Sequence, residues 1–424
     1  MRREKNRNWL LIILVSSLGL ALLAVLLYQL PPVRERLDWR RQVAQAYLRG
    51  ILYPAGPVPT SASSAGLETT QDILMPTHTA SATPTPVPTL TTPQPTPTLI
   101  PSPTAIPPAV ALSAPYWEKQ GPNDCGPASL SIYLHYYGWE GDQKDINELI
   151  KPLSADRNVN PDELVYFVRT RAGWLRSDFR VGGDIDLLKK LVAAGFPVMI
   201  EESFYFDAPF WPNDDLWAAH YLLITGYDDA TETFTVQDSF HGPNRQIAYE
   251  DLDKEWKIFN RVYLLIYPPE QEETLKAILG SHWDVNLNRQ HALEVARSEI
   301  QTNPDDAFAW FNLGSNLVYF DDYTEAVTAF DNARNLGLPQ RMLRYQFSPF
   351  FAYFHTGKID ELLTLTNYAL QRTDNSEEAL LWNGWALYRQ GDTTGAISDW
   401  RKALKARPDY QDALYALDFV GSTP

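Results

Sequence analysis

The chain has few of the groups that stabilise a protein by means other than packing. It holds one cysteine, Cys125, in 424 residues, which excludes an intramolecular disulfide. No group of cysteine and histidine residues has the spacing of a zinc site, so we expect no metal and no cofactor. Lys and Arg total 36 against 52 Asp and Glu, a formal net charge of −16. Because phosphate neutralisation needs clustered basic residues, this composition argues against a nucleic-acid-binding protein.

Charged side chains are also missing from a long stretch near the amino terminus. The residues from Trp9 to Leu30 are uncharged, and at about 1.5 Å per residue a helix of this length crosses a bilayer. We predict a transmembrane helix at 9–30 after a cytoplasmic segment at 1–8. A cleaved signal peptide is the alternative, but its apolar core is usually only about 7–15 residues long.

A second uncharged stretch lies between Asp72 and Glu118 and is built largely from Pro and Thr. Such a sequence forms no core and favours extended, polyproline-like conformations. We interpret 31–72 as a juxtamembrane segment and 73–114 as a disordered linker. Stalks of this composition are commonest on cell surfaces, so we expect the following domains to be extracytoplasmic on a single-pass membrane protein.

Two folded regions of different pattern follow the linker. From 115 to 269, helical and strand patterns alternate, which indicates a mixed domain of the α+β class. From 273 the pattern is helical only and repeats. When Gly280, Gly314 and Gly384 are aligned, an alanine follows twelve residues later in each case.

This repeat resembles the tetratricopeptide (TPR) repeat, a helix-turn-helix unit of 34 residues. We predict an all-α TPR solenoid at 273–410 and a capping segment at 411–424, with an ordinary helical bundle as the alternative. The four repeats are placed at 273–306, 307–342, 343–376 and 377–410. A solenoid of this kind binds a protein or peptide on its concave face, which gives the expected partner.

The sequence around Cys125 has the pattern of a nucleophile at the start of a helix. A loop from Gln120 precedes it, and the apolar spacing after it predicts a helix that ends at Gly138. The positive end of a helix dipole favours the thiolate over the thiol. Gln120 could add a side-chain amide donor for an oxyanion, since acyl transfer needs donors where negative charge develops.

A thiolate of this kind needs a base, and the base needs a group that orients it. His220 opens a strand that turns at Asp228-Asp229, and the next strand ends at Asp238. If the two strands form a hairpin, Asp238 can accept a hydrogen bond from His220. His241 is a rival base, although a loop histidine is more often solvated.

Three ordered blocks of sequence resemble the bacteriocin leader-processing cysteine peptidases, peptidase family C-39, which have a papain-like fold. The blocks are Gln120 with Asp124–Leu130 and Tyr136–Gly138, then His220-Tyr221 to Asp228, then Asp238-Ser239. The resemblance implies that Cys125 is the nucleophile, His220 the general base and acid, Asp238 the residue that orients His220, and Gln120 part of the oxyanion hole. Unlike exporter-linked members of that family, this chain has no phosphate-binding loop.

Outside these blocks the sequence supports only modest expectations. Asn123 and Asp124 should shape the turn before the nucleophile. The aromatic residues from Phe204 to Trp217 could line a substrate groove or pack over the core of the domain. We expect a cysteine peptidase that hydrolyses peptide or amide bonds. The alternatives are a non-catalytic scaffold that binds through its repeats, and a related amidase or transglutaminase-like acyl transfer.

Overall fold

The computed structural model describes residues 2–54, 56–62, 106–153 and 156–424. The chain forms two compact units. The first contains the described residues up to Gly56 together with Phe206–Leu216, and the second begins at Pro57 and includes Trp217–Pro424. Most of the linker predicted at 73–114 lies outside the described residues.

Two helices, α1 (Arg2–Tyr28) and α2 (Pro31–Leu52), form most of the first unit. Within this unit α2 packs closely on the segment 206–216 at Gly50, where an added Cβ would lie 2.6 Å from the Cβ of Trp211. Over the described part of the chain, no helix is both long enough and apolar enough to cross a membrane. The structure thus gives no support to the span predicted at 9–30.

A seven-stranded antiparallel sheet forms the centre of the second unit, with strand order β2-β7-β3-β4-β5-β6 and β1 paired to β4. The strands are β1 (Ala109–Ala111), β2 (Arg176–Arg180), β3 (Val198–Tyr205), β4 (Trp217–Asp228), β5 (Thr233–Asp238), β6 (Gly242–Ala248) and β7 (Tyr263–Tyr267). The sheet thus begins at Ala109, before the predicted domain start at 115. At Gly226 the strands approach so closely that a Cβ would lie 2.8 Å from the carbonyl oxygen of Val110.

Helices cover both faces of this sheet, because successive strand residues point to opposite faces. Met199, Tyr221 and Leu223 pack in one core with the helices α3 (Cys125–Tyr136), α4 (Gln143–Ile150) and α5 (Pro161–Arg171). Their strand neighbours Ile200 and Leu222 pack on the other face, in a core with α6 (Ile185–Ala193), α7 (Tyr249–Trp256) and α8 (Glu272–Leu279). Strands buried on both faces explain the long apolar runs of the sequence.

The remaining helices form a purely helical region after the sheet domain, as the sequence predicts. They are α9 (Val285–Thr302), α10 (Ala307–Tyr319), α11 (Tyr323–Leu336), α12 (Met342–Tyr345), α13 (Ser348–His355), α14 (Ile359–Arg372), α15 (Glu377–Arg389), α16 (Thr393–Ala406) and α17 (Gln411–Phe419). Helix α10 packs on α11 and α15 on α16. The small residues lie where these helices meet: a Cβ on Gly314 would be 2.6 Å from the Phe330 ring, and on Gly384 2.4 Å from that of Trp400.

Two predicted repeats depart from this arrangement. Gly280 ends α8 with a positive φ of 55° and has no heavy atom within 4 Å of an added Cβ. It is therefore a helix cap and, unlike Gly314, not a position of close helix packing. In the third predicted repeat the first helix is divided into α12 and α13, with Pro349 in the first turn of α13.

The sheet domain and the helical region share one apolar core. Trp217 at the start of β4 stacks on Phe259 with ring centroids 5.8 Å apart. Both rings belong to the core cluster that continues through Trp310 and Phe330 of the helical region. Arg341 also donates to the carbonyl oxygen of Trp217 at 2.6 Å. The helical region is therefore packed against the sheet domain, and we expect the two to unfold together.

Candidate active site

Cys125 is the first residue of α3 and is half-buried. The loop before it is held from several sides. Asn123 has a positive φ of 60°, a conformation that Asn tolerates well. The buried Lys151 donates to the carbonyl oxygen of Asn123 at 2.8 Å and to Asp124 at 2.6 Å. These bonds fix the turn that places the thiol at the positive end of the helix dipole.

His220 lies between the thiol and a carboxylate. Its Nε2 is 3.0 Å from Oδ1 of Asp238, and the side chain of Cys125 is close enough to act on the pKa of His220. With Nε2 engaged by Asp238, Nδ1 is the ring nitrogen left for the sulfur. Burial by itself lowers the pKa of His220, but the hydrogen bond to Asp238 and the nearby Cys125 outweigh it and raise this pKa to about 10. The site therefore favours an imidazolium beside the sulfur.

Asp238 has more partners than the sequence suggests. Its Oδ1 accepts from the backbone N–H groups of Phe240 and His241, at 2.8 and 3.0 Å. Its Oδ2 lies 2.7 Å from Nδ1 of His241 and 3.5 Å from Arg245. Burial opposes ionisation, but the bonds from His220 and His241 keep the pKa of Asp238 below its usual range. His241 is thus a second histidine on the same carboxylate, although its side chain, in the turn before β6, is exposed.

Gln120 is positioned by Ser239, a residue that follows Asp238 directly. The backbone N–H of Gln120 donates to the carbonyl oxygen of Ser239, and the Ser239 hydroxyl donates to Oε1 of Gln120, both at 2.9 Å. With Oε1 occupied, the side-chain NH₂ is the end of the amide left to donate. The Ser239 hydroxyl is also 3.4 Å from Ser129 on α3, which links the nucleophile helix to the strand of Asp238.

The aromatic stretch before His220 divides between the site and the core. The Phe204 ring lies 5.3 Å from the ring of His220 and 5.5 Å from that of His241, so it forms one wall of the site. Trp217 is 1% exposed and packs in the core. Trp217 thus packs in the core, as one alternative predicts, while a role of Phe204 in a substrate groove stays a prediction.

Sequence reasoning missed two glutamates beside the site. Glu202 is the register partner of His220 across β3 and β4, and Glu201 pairs with Tyr221. Burial and then the Cys125 charge raise the pKa of Glu201 well above its usual range. Burial also raises the pKa of Glu202, to about 8, against the lowering effect of His220. The sequence did contain a signal for them, because two adjacent acidic residues are unusual inside an apolar stretch that predicts a buried strand.

A cavity of about 710 Å³ opens between the sheet domain and the helical region. Glu201 and Asn160 line it from the sheet domain, while Tyr345, Phe351 and Trp382 line it from α12, α13 and α15. Glu201 is the lining residue whose pKa the charge of Cys125 helps to raise. Across the described ranges, no group of three or more His, Cys, Asp or Glu is arranged to hold a metal ion.

Residues 111–264 match the model of the peptidase C39-like family. Three solved structures show the extent of further similarity. The cysteine protease xylellain from Xylella fastidiosa is 16% identical and covers 38% of this chain and 87% of its own, with a TM-score of 0.30. The peptidase domain of Streptococcus ComA, a bifunctional ABC transporter, is 15% identical over 37% and 99%, with a TM-score of 0.29. The TPR protein YrrB is 19% identical over 34% and 89%, with a TM-score of 0.19.

None of the curated proteins matches the chain. The residues that match the peptidase C39-like family model include Cys125, His220 and Asp238, and a helical region follows them.

Proposed function

We propose that this protein is a cysteine peptidase that hydrolyses peptide or amide bonds with Cys125, His220 and Asp238. The observation that supports this proposal best is the hydrogen bond between His220 and Asp238, together with Cys125 at the first residue of α3, close enough to act on the pKa of His220. A nucleophile, a base in reach of it and a group that orients the base are the three parts that covalent acyl transfer requires.

In the proposed reaction the Cys125 sulfur attacks the substrate carbonyl carbon and forms a carbon–sulfur bond. The carbonyl oxygen becomes an oxyanion, which the first N–H groups of α3 and the Gln120 side-chain amide stabilise by donating to it. His220 gives its proton to the leaving amine as the carbon–nitrogen bond breaks. It then takes a proton from water, which attacks the thioester and releases the acid and the free thiol.

The 710 Å³ cavity is the proposed place for the substrate or for a bound partner. Its size falls in the range of about 300–1,000 Å³ that ligand sites occupy. The helical side of the cavity carries the aromatic rings of Tyr345, Phe351 and Trp382. We propose that this helical region is a TPR solenoid whose concave face holds a peptide or protein near Cys125.

The test is the rate at which a thiol-directed probe labels Cys125 near neutral pH, measured in parallel with peptide-library cleavage. We expect labelling well above that of free cysteine. His220→Ala should slow labelling and abolish cleavage, and Cys125→Ala should remove both signals. His291→Ala is the matched control, because it changes a half-buried histidine on α9, away from Cys125. Labelling no faster than that of free cysteine, together with no cleavage, would refute the peptidase proposal and favour the alternative of a non-catalytic binding scaffold.

The proposed location is extracytoplasmic, with the chain held at a membrane through its amino-terminal residues. Support comes from the uncharged sequence Trp9 to Leu30. Carbonate extraction of membranes tests this proposal. Full release of the protein into the soluble fraction would refute it.

A further inference from the structure

A short segment before the Pro/Thr-rich stretch lies in a groove of the helical region. The segment is 57–62, and α11, α13 and α14 form the groove within the same compact unit. Val58 is 2% exposed and belongs to the apolar core that runs through these helices. Its side chain is therefore a buried anchor for the segment.

Arg334 of α11 binds the main chain of this segment. Its Nε donates to the carbonyl oxygen of Pro59 at 2.8 Å, and its Nη2 to that of Thr60 at 3.0 Å. Its third nitrogen donates to the Tyr353 hydroxyl and pairs with Glu361, both at 2.8 Å. Arg334 is only 2% exposed, and a buried guanidinium needs acceptors for its N–H groups. The segment supplies the acceptors for two of these nitrogens, since Nε and Nη2 of Arg334 donate to its carbonyl oxygens.

The next two residues bind through their backbone N–H groups. The N–H of Ser61 donates to Oδ1 of Asn335 at 3.1 Å, and that of Ala62 donates to Oε1 of Glu361 at 2.8 Å. Two carbonyl groups and two N–H groups from four consecutive residues are thus engaged. Main-chain contacts of this kind, combined with a buried side chain, are typical of sites that bind an extended peptide.

Two prolines prepare the segment for this site. Pro57 and Pro59 flank Val58, and a residue before proline is restricted to extended conformations. A restricted segment loses less conformational entropy on binding than a flexible one. Proline has no N–H group, and Pro59 accepts a hydrogen bond from the groove through its carbonyl oxygen.

The other end of the Pro/Thr-rich stretch is attached to the same unit. The N–H of Asp229 donates to the carbonyl oxygen of Pro108, and that of Leu112 to Thr225, both at 2.8 Å. Strand β1 then pairs with β4. The stretch between Ala62 and Ile106 therefore connects two positions of one unit.

We propose that the groove of α11, α13 and α14 is a site for an extended proline-containing peptide, and that its occupant is this chain's own residues 57–62. The Pro/Thr-rich stretch is then a loop closed on the catalytic unit, and the connection to α2 begins at Pro57. This differs from the stalk that the sequence predicts between the membrane and the catalytic domain. The proposal does not depend on peptidase activity.

The test uses the full chain with site-specific protease sequences inserted before Gly56 and between Thr92 and Pro93, and with a tag beside Thr92 in the excised fragment. The fragment then lacks α2, whose contact with the segment 206–216 would otherwise hold it. After cleavage, the tagged fragment should stay bound to the remainder of the chain in size-exclusion chromatography. Val58→Asp should release it, because the new carboxylate would be buried without a partner. The sequence Pro-Val-Pro-Thr recurs at 86–89, outside the described residues. Val87→Asp is therefore the matched control and should retain the fragment.

A second experiment uses the unchanged chain, so its result does not depend on whether a variant chain folds. A synthetic peptide of residues 56–63, added in excess to the cleaved unchanged chain, should displace the tagged fragment, and the same peptide with Val58→Asp should not. Release of the fragment without any peptide would overturn the proposal. Retention in the Val58→Asp chain, or release in the Val87→Asp chain, would overturn it as well.

Discussion

His220 and Asp238 lie on neighbouring strands, two residues away from direct pairing. The register partner of Asp238 is Leu222, so His220 is its diagonal neighbour on the same face of β4. Their side chains span this offset, with Nε2 3.0 Å from Oδ1, because diagonal neighbours remain within reach of long side chains. A shift of one residue in the β4–β5 register would move His220 to the opposite face from Asp238.

Asp238→Asn should slow thiol labelling of Cys125 more than tenfold at neutral pH. The variant keeps the size of the side chain but removes the charge that stabilises the His220 imidazolium, which in turn stabilises the thiolate. The measurement is the labelling rate between pH 5 and 9, compared at each pH with that of the unchanged protein. Asp251→Asn, an exposed acid on α7, is the control. An unchanged pH profile in Asp238→Asn would contradict the role assigned to this carboxylate.

The free energy of unfolding should fall as the pH rises from about 6.5 to about 10. The folded pKa of His220 is raised from its ordinary value of 6.5 to about 10, so in this window the folded protein binds a proton that the unfolded chain does not. The resulting stabilisation is complete below pH 6.5 and is lost as the pH passes the folded pKa. Urea unfolding at several pH values measures the slope, and His220→Ala should make it shallower. Equal slopes in both proteins would argue against the raised pKa.

Ser239→Ala should reduce peptide cleavage while leaving thiol labelling nearly unchanged. The partners of this hydroxyl are Oε1 of Gln120, at 2.9 Å, and the hydroxyl of Ser129. Its loss therefore frees the Gln120 amide while the bond between His220 and Asp238 is kept. Loss of one oxyanion donor typically costs about 10²–10³ in kcat. Gln120→Ala should have the same effect as Ser239→Ala. A parallel loss of labelling would instead assign Ser239 to support of the thiolate.

Gly384→Ala should destabilise the helical region by about 1–3 kcal/mol, the usual cost of overpacking a core. The added Cβ would lie 2.4 Å from the Trp400 ring nitrogen, so α15 and α16 would have to separate. Gly173→Ala is the control, because its nearest contact would be an ordinary 3.6 Å. Thermal unfolding of the two variants distinguishes close helix packing from a general effect of the added methyl group. Equal melting temperatures would show that the pair can adjust without cost.

The sequence was most informative where a function depends on local backbone structure. Cys125 at a helix start, Gly138 with a φ of 82° after α3 and the β4–β5 hairpin all follow from neighbouring residues. It was less informative about Gly280, because a glycine that ends a helix and a glycine that permits close packing look alike in an alignment. The two cases are distinguished by tertiary contacts: Gly280 at the end of α8 has none within 4 Å of an added Cβ, whereas Gly314 in α10 lies against Phe330.

Long-range partners were beyond the reach of sequence reasoning. Ser239 beside Gln120, and Arg334 beside Pro59, are separated by 119 and 275 residues. No periodicity connects such positions, since it reports only which face of one element is apolar.

The sequence by itself determined which residues could carry the chemistry, because a lone cysteine at a helix start, a histidine opening a strand and an acid ending the next are local patterns. The tertiary structure decided that His241 shares Asp238, that Ser239 orients Gln120 and that residues 57–62 occupy a groove of the helices. These outcomes depend on side chains brought together by the packing of distant elements, and burial then sets which of them must be paired.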